Sequence, residues 1–364
     1  MNKKRLFGSV ISWLLIVVLL AGCAAAPQTQ APDASRPSIH VSLTPDSEAS
    51  MPSSGTLPSS APATQPTTQP VTQPTTQPAT QPSDPVTPPT IPSDSSFKIH
   101  FIDVGQADAA LVLCDGKAML IDGGNAADSN LMYTYLKKHN ISHLDYVIGT
   151  HAHEDHIGGI PGALQYATVD KVYCASTSYT TKAFQNFVRA VTNRGSSITV
   201  PTKGTTFNLG SAQCTILAVN TDKEDLNNTS IVMRIVYGEN SFLFTGDAEK
   251  EVEDFLLDDG APLKSDVLKV GHHGSHSSTS YVFLRAVMPK YAVICVGTGN
   301  TYGHPTSAVL SRLRDADVTT FRTDKQGDII CESDGQNITF TPSRNADIDV
   351  YKKIGPNSTQ RNTQ

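Results

Sequence analysis

From Phe97 to Ser343 the chain is a succession of short apolar runs separated by Gly, Asn, Asp and Pro. The runs FKIHFIDV, AALVLC, AMLIDGG and LDYVIGT have the length and branched or aromatic content of strands, with turn residues between them. The same pattern predicts strands at KVYCA, SSITV, CTILAV, SIVMRIVYG, SFLFTG, SDVLKVG, YAVICVG, IICES and NITFT. A helical period appears over 129–139, where Ser129 is a candidate cap and Leu131, Tyr135 and Leu136 fall near one face. Further helices are predicted at 182–193, 249–257, 279–287 and 306–314. Each half of the region mixes strands with helices, which suits an α/β fold of two sheets packed face to face with helices outside.

The segments flanking this region differ in composition. Residues 24–96 hold 16 of the 23 prolines and contain no Phe, Tyr or Trp, so they cannot build a core. A degenerate Thr-Gln-Pro repeat (63–82) favours extended, solvated backbone. As a coil this tether spans roughly 50 Å, and fully extended about 200 Å. Ahead of it, Lys3, Lys4 and Arg5 precede the apolar run 6–20 and then Leu20-Ala21-Gly22-Cys23, the layout of a secretory signal peptide. Its end resembles a bacterial lipobox, which implies a diacylglyceryl group on Cys23 and stable anchoring by two acyl chains. An uncleaved anchor is the alternative, but the run is short of the ~20 residues that span a bilayer. Either reading places the domain outside the cytoplasm. The expected organisation is a signal peptide (1–22), a disordered tether (23–96), one folded domain (97–343) and a disordered tail (344–364).

The net charge is −6 for the whole chain, and the 97–343 region is itself acidic. A protein that grips long nucleic acid by neutralising phosphates normally carries a basic excess, so tight non-specific DNA binding is disfavoured. Phosphodiester chemistry is not excluded, since bound cations would offset carboxylates locally. With Cys23 assigned to lipidation, Cys114, Cys174, Cys214, Cys295 and Cys331 remain, each in or beside a predicted strand and none in a CxxC pair. They read as buried free thiols.

The chemistry is concentrated after LDYVIGT, in Thr150-His151-Ala152-His153-Glu154-Asp155-His156-Ile157-Gly158-Gly159. Borderline metals such as zinc take imidazole nitrogen and carboxylate oxygen, and a tight loop leaving a rigid strand can aim such groups at two neighbouring points. Here the sequence resembles the metallo-β-lactamase-fold superfamily, whose signature is His-x-His-x-Asp-His after a strand. Phe244-Thr245-Gly246-Asp247 and Gly271-His272-His273-Gly274-Ser275 extend the likeness. So do the segments 100–108, 120–124, 302–305 and 323–329, which resemble the ComEC-type branch named for a competence DNA-uptake protein.

The resemblance implies a four-layer αββα sandwich and two divalent ions, zinc or manganese. His151, His153 and Asp247 would hold the first ion. Asp155, His156, a bridging Asp247 and one of the 272/273 pair, with His272 favoured, would hold the second. The family's third histidine of the first site is replaced by Asn227-Asn228-Thr229-Ser230, leaving Asn228 as a weak candidate ligand, and the family's Gly-Gln-Gly-Asp is Gly-Gln-Ala-Asp here. Asp122 is a candidate to support a ligating imidazole, and Asp103 and Asp108 are candidates for similar roles. Ser230 and Ser275 are candidate hydrogen-bond donors to substrate. His304 is a candidate phosphate ligand or general acid. The implied activity is hydrolysis of a phosphodiester in nucleic acid or an envelope polymer, with Asp155, His304 and His273 in catalytic roles. A teichoic-acid phosphocholine esterase and a non-catalytic surface binding module are the alternatives. No stable protein partner is inferred.

Overall fold

The computed structural model describes residues 91–352, apart from 93, 222 and 223. The predicted signal peptide, Cys23 and most of the tether lie outside the described residues. In chain order the first strands are β1 (Phe97–Phe101), β2 (Ala110–Cys114), β3 (Lys117–Ile121), β4 (His143–Gly149), β5 (Thr168–Cys174) and β6 (Ile198–Thr199). Next come β7 (Thr206–Leu209), β8 (Ala212–Ala218), β9 (Val232–Tyr237), β10 (Asn240–Phe244), β11 (Val267–Lys269), β12 (Tyr291–Ile294) and β13 (Thr319–Arg322). β14 (Ile329–Ser333) and β15 (Ile338–Pro342) complete the set. Among the described residues these form an eight-stranded sheet, β15-β14-β1-β2-β3-β4-β5-β6, and a seven-stranded sheet, β13-β12-β11-β10-β9-β8-β7.

The period-2 pattern decides what each face meets. Phe97, Ile99 and Phe101 of β1, Val112 and Cys114 of β2, and Met119 and Ile121 of β3 point between the sheets. There Phe97 stacks on Tyr237 and Phe242 with ring centroids 4.9 and 4.8 Å apart. The alternate residues Leu111 and Leu120 face helices α1 (Ser129–Lys138), α2 (Glu154–Ile157), α3 (Ile160–Tyr166) and α4 (Lys182–Asn193). On the other sheet, Leu243, Leu268 and Ile294 face α5 (Lys250–Asp258), α6 (Tyr281–Val287) and α7 (Ser307–Asp315). A short α8 (Thr323–Gln326) follows β13. The result is four layers, α/β/β/α.

The predicted helix at 182–193 has the same bounds in the structure, fixed at its start by the Thr181 hydroxyl accepting from the Phe184 amide. Helix α3 has no counterpart in the prediction, since Pro161 and Gly162 interrupt its pattern. Gly162 is required by the close approach of α1, because a Cβ there would lie 1.9 Å from the Ser129 carbonyl oxygen.

Two expected boundaries need correction. Residues 344–352 are part of the fold rather than a disordered tail. Val350 is buried, its carbonyl accepts from Arg322 at 2.6 Å, and Lys325 donates to the carbonyls of Asp349 and Lys352. At the other end, Ile91 packs on the intersheet core and Ser95 donates to Asp115, so the domain begins by residue 91. The five cysteines among the described residues are free and buried.

Candidate metal centre

In the first sheet β3, β4 and β5 run parallel, and in the second β10, β11, β12 and β13 do so. The chemistry-bearing residues follow the carboxyl ends of these strands, where open α/β sheets bind ligands. β3 leads into Asp122, β4 into Thr150 and His151, β10 into Gly246 and Asp247, and β11 into the tight turn Gly271–Gly274.

Four side chains close on one point. Asp155, His156, Asp247 and His273 each present a donor atom, all within 4.8 Å of one another. His156 Nε2 lies 3.3 Å from Asp247 Oδ1, and His273 Nε2 lies 3.3 Å from Asp155 Oδ2 and 3.5 Å from Asp247 Oδ2. His156 Nε2, His273 Nε2 and Asp247 Oδ1 are buried without a hydrogen-bond partner. Leaving such atoms unsatisfied costs about 1–3 kcal/mol each, so three aimed together call for a ligand from outside the chain. Tetrahedral zinc with bonds of ~2.0–2.1 Å separates its donors by about 3.4 Å; three of the spacings here match, and that from His156 Nε2 to Asp155 Oδ2 is wider, at 4.0 Å. The donor set therefore fits a divalent ion.

Electrostatics agree. Burial opposes charge on His156, but Asp247, Asp122 and Asp155 outweigh it and hold its pKa well above the ordinary histidine value. Burial likewise opposes charge on His273, yet Asp247 and Asp108 push its pKa up to about 10. Burial works against an ionised Asp247 too, and His156 and His273 keep it well below the usual carboxylate range. Carboxylates that attract protons this strongly to two imidazoles would attract a dication in their place.

Each imidazole is oriented from behind. His156 Nδ1 lies 2.8 Å from Asp122 Oδ2, and that carboxylate also accepts from the Thr150 amide and hydroxyl, both at 2.8 Å. His273 Nδ1 lies 3.0 Å from the Cys295 carbonyl oxygen and 3.2 Å from Asp108 Oδ1. With Nδ1 engaged, each ring turns Nε2 toward the donor group. The Ser230 hydroxyl accepts from the Asp247 amide at 3.0 Å and sits 3.4 Å from His151 Nδ1, so it braces both.

His151 and His153 form a second, looser arrangement beside this group. Their Nε2 and Nδ1 atoms are 2.9 Å apart, and the His151 ring lies 4.1 Å from that of His156. Burial, then His156, holds His151 well below the ordinary histidine pKa and hence neutral. Asn228 does not turn toward these rings. Its Oδ1 accepts from the Glu249 amide at 3.1 Å and its Nδ2 reaches Glu251 at 3.4 Å, which places it as a brace for the start of α5 rather than as a ligand.

The structure reverses the expected order within the histidine pair. His272 and His273 both adopt left-handed backbone conformations, with φ of 49° and 52°. Such positions cost of order 1–3 kcal/mol for non-glycine residues and cluster at functional sites. The turn buries His273 in the donor group, which removes it from the catalytic role expected of it. It leaves His272 at the rim, 3.2 Å from Glu249 and with Nε2 3.6 Å from Asp247 Oδ2. His304 lies farther out, its ring 5.6 Å from that of His272 and stacked on exposed Tyr302. Burial, helped by His272 and His273, lowers its pKa to about 4.

Asp103 and Ser275 also depart from expectation. Asp103 pairs with Arg344 at 2.9 Å and ties down the 344–352 segment. Buried Ser275 bonds Ser277 at 2.9 Å and shapes the turn instead of facing substrate. Two groups in the site escaped the sequence reading: Glu249, beside His272, and Lys269, buried 2.7 Å from Asp108 Oδ2. For Lys269 a signal existed, a single cation inside the apolar run SDVLKVG.

Residues 102–298 match the model of the metallo-beta-lactamase superfamily. ComE operon protein 3 of Bacillus subtilis is 30% identical over 254 residues, covering 65% of this chain and 33% of that protein. Competence protein ComA of Neisseria gonorrhoeae is 31% identical over 233 residues, covering 62% of this chain and 30% of that one. The chain thus spans about a third of the length of these relatives. Among solved structures, the metallo-beta-lactamase fold protein YhfI of Bacillus subtilis aligns over 65% of this chain and 100% of its own, with 15% identity and a TM-score of 0.45. The chain belongs to the metallo-beta-lactamase superfamily, and within its matched region it is similar to these competence proteins.

Proposed function

We propose that the protein is a metal-dependent phosphodiesterase, held outside the cytoplasm by lipidated Cys23 and using two divalent ions, zinc or manganese. The observation that carries the reading is the convergence of His156 Nε2, His273 Nε2 and Asp247 Oδ1, buried and without hydrogen bonds, beside Asp155. Bound divalent ions would supply an activated water and offset negative charge developing on a phosphoryl group. The chain's own groups do the rest. Asp122 orients His156, the Cys295 carbonyl with Asp108 beside it orients His273, and Ser230 links Asp247 to His151. The Asp155 side chain is 33% exposed, so it meets both the donor group and entering solvent; burial opposes its charge, but His156 and His273 hold its carboxyl well below the usual carboxylate range, which suits an ionised ligand rather than a proton acceptor. With its pKa lowered to about 4, His304 is neutral at pH 7 and suits donating a hydrogen bond to a phosphate oxygen better than protonating a leaving group. Relatives named for competence favour nucleic acid as the polymer.

The test is metal analysis of the purified protein, together with hydrolysis of bis(p-nitrophenyl) phosphate, single- and double-stranded DNA and teichoic acid in manganese and in zinc. Two ions per chain and DNA cleavage that is lost in Asp155→Ala support the proposal. Cleavage of teichoic acid alone would move the substrate to the envelope, and metal-free, inactive protein would leave only a binding module.

A further inference from the structure

The two imidazoles of the closed donor group are backed by carboxylates in different electrostatic settings. Asp122, behind His156, is balanced by neutral donors from Thr150. Asp108, behind His273, is balanced by a full charge: Lys269 Nζ lies 2.7 Å from Asp108 Oδ2, and the two side chains are only 4% and 7% exposed. Lys269 also donates to the Val270 carbonyl at 2.8 Å, so its ammonium is fixed from two sides. Its position on β11, two residues before the turn that carries both histidines, ties that strand to the loop containing Asp108. The Asp108 backbone is held in turn, its amide donating to the Asp155 carbonyl at 3.1 Å and its carbonyl accepting from Gly124 at 2.8 Å.

A buried ion pair is a poor source of net stability, because removing both charges from water costs several kcal/mol per ion before their attraction is counted. Its value lies in geometry. Asp108 Oδ1 is close to His273 Nδ1 but lacks the alignment of a hydrogen bond to it, which goes to the Cys295 carbonyl instead. The Asp108 carboxylate is therefore located by Lys269 rather than by the imidazole.

We infer that Lys269 is a positioning residue for the metal centre: by pinning Asp108 it holds a carboxylate charge 3.2 Å from His273 Nδ1, beside the Cys295 carbonyl that takes the ring's hydrogen bond, and so supports Nε2 toward the donor group and the affinity of that group for a divalent ion. The inference rests on the metal-centre reading above. Outer partners of ligating histidines typically contribute 10–100-fold in metal affinity.

The test compares full-length wild type, Lys269→Met and the double variant Lys269→Met/Asp108→Asn, by competition titration with zinc against a chromophoric chelator and by thermal unfolding of the metal-free forms. Lys269→Met strands a buried carboxylate and is expected to melt earlier. The double variant removes both charges and is expected to melt within a few degrees of wild type, yet to bind its tighter zinc ion about tenfold or more weakly. The cobalt-loaded double variant should also show an altered visible ligand-field spectrum. A double variant with wild-type zinc affinity and cobalt spectrum overturns the positioning role while leaving the metal centre intact. A wild-type chain that binds no zinc removes both.

Discussion

The two halves of the candidate centre are built differently. The closed half takes Asp247 from the end of β10, His273 from the turn after β11, and Asp155 and His156 from α2. Its imidazoles are each backed by a buried carboxylate. The open half depends on His151 and His153 from a single loop, and where a third ligand is expected Asn228 faces α5. The closed group draws on three separate elements packed into the core, whereas His151 and His153 lie two residues apart on one loop and contact each other at 2.9 Å. The difference predicts unequal affinities, with the closed half filling first.

The largest effect should come from Asp247, which meets His156 and His273 and is linked through Ser230 to His151. Asp247→Ala is expected to abolish binding of both ions and reduce phosphodiester hydrolysis to background, as read by metal analysis and turnover. Retention of one ion would show that the halves are independent. Next, His151→Ala with His153→Ala should remove one ion only, lower turnover by orders of magnitude, and leave the fold intact by circular dichroism. Unchanged turnover would mean that the closed half suffices for chemistry.

A smaller contrast separates the histidine pair. His273→Ala should weaken the tighter ion by at least about tenfold, while His272→Ala should leave that affinity within a few-fold and act mainly on turnover. Equal losses would erase the distinction drawn from the left-handed turn.

The smallest effect is a pH slope. With its pKa pushed up to about 10, His273 carries a proton at pH 7, and Asp247 and Asp122 shift His156 in the same direction, so an ion entering the closed half must displace protons. Affinity there should rise with pH from 7 toward 10. Metal-free stability should run the opposite way. A raised folded pKa contributes stability that is fully present below the unfolded value near 6.5 and is lost as pH rises through the folded one. His151 is already neutral, so the open half should show a shallower slope. Calorimetric titration in buffers of different ionisation enthalpy counts the released protons, and equal counts for the two ions would contradict the contrast.

Strand patterning located most of the fold, because buried strands write long apolar runs. It missed β7 and β13, whose short segments TFNL and TTFR mix polar with apolar positions, and α3, where Pro161 and Gly162 serve tertiary contact rather than helix propensity. The site was legible where its residues are contiguous, from His151 to His156. It was not legible where backbone handedness decides, since no pattern tells which of His272 and His273 a left-handed turn will bury. Asp103 and Asp108 sit five positions apart in one motif, yet one pairs with Arg344 at the surface and the other with buried Lys269. Only the meeting of distant strands separates them.

The most direct measurement is anomalous X-ray scattering at the zinc edge from crystals of the zinc-loaded protein. A strong peak is expected bonded to His156 Nε2, His273 Nε2, Asp155 and Asp247, with a weaker one at His151 and His153. A peak elsewhere, or one bonded to His272 with His273 turned away, would contradict it.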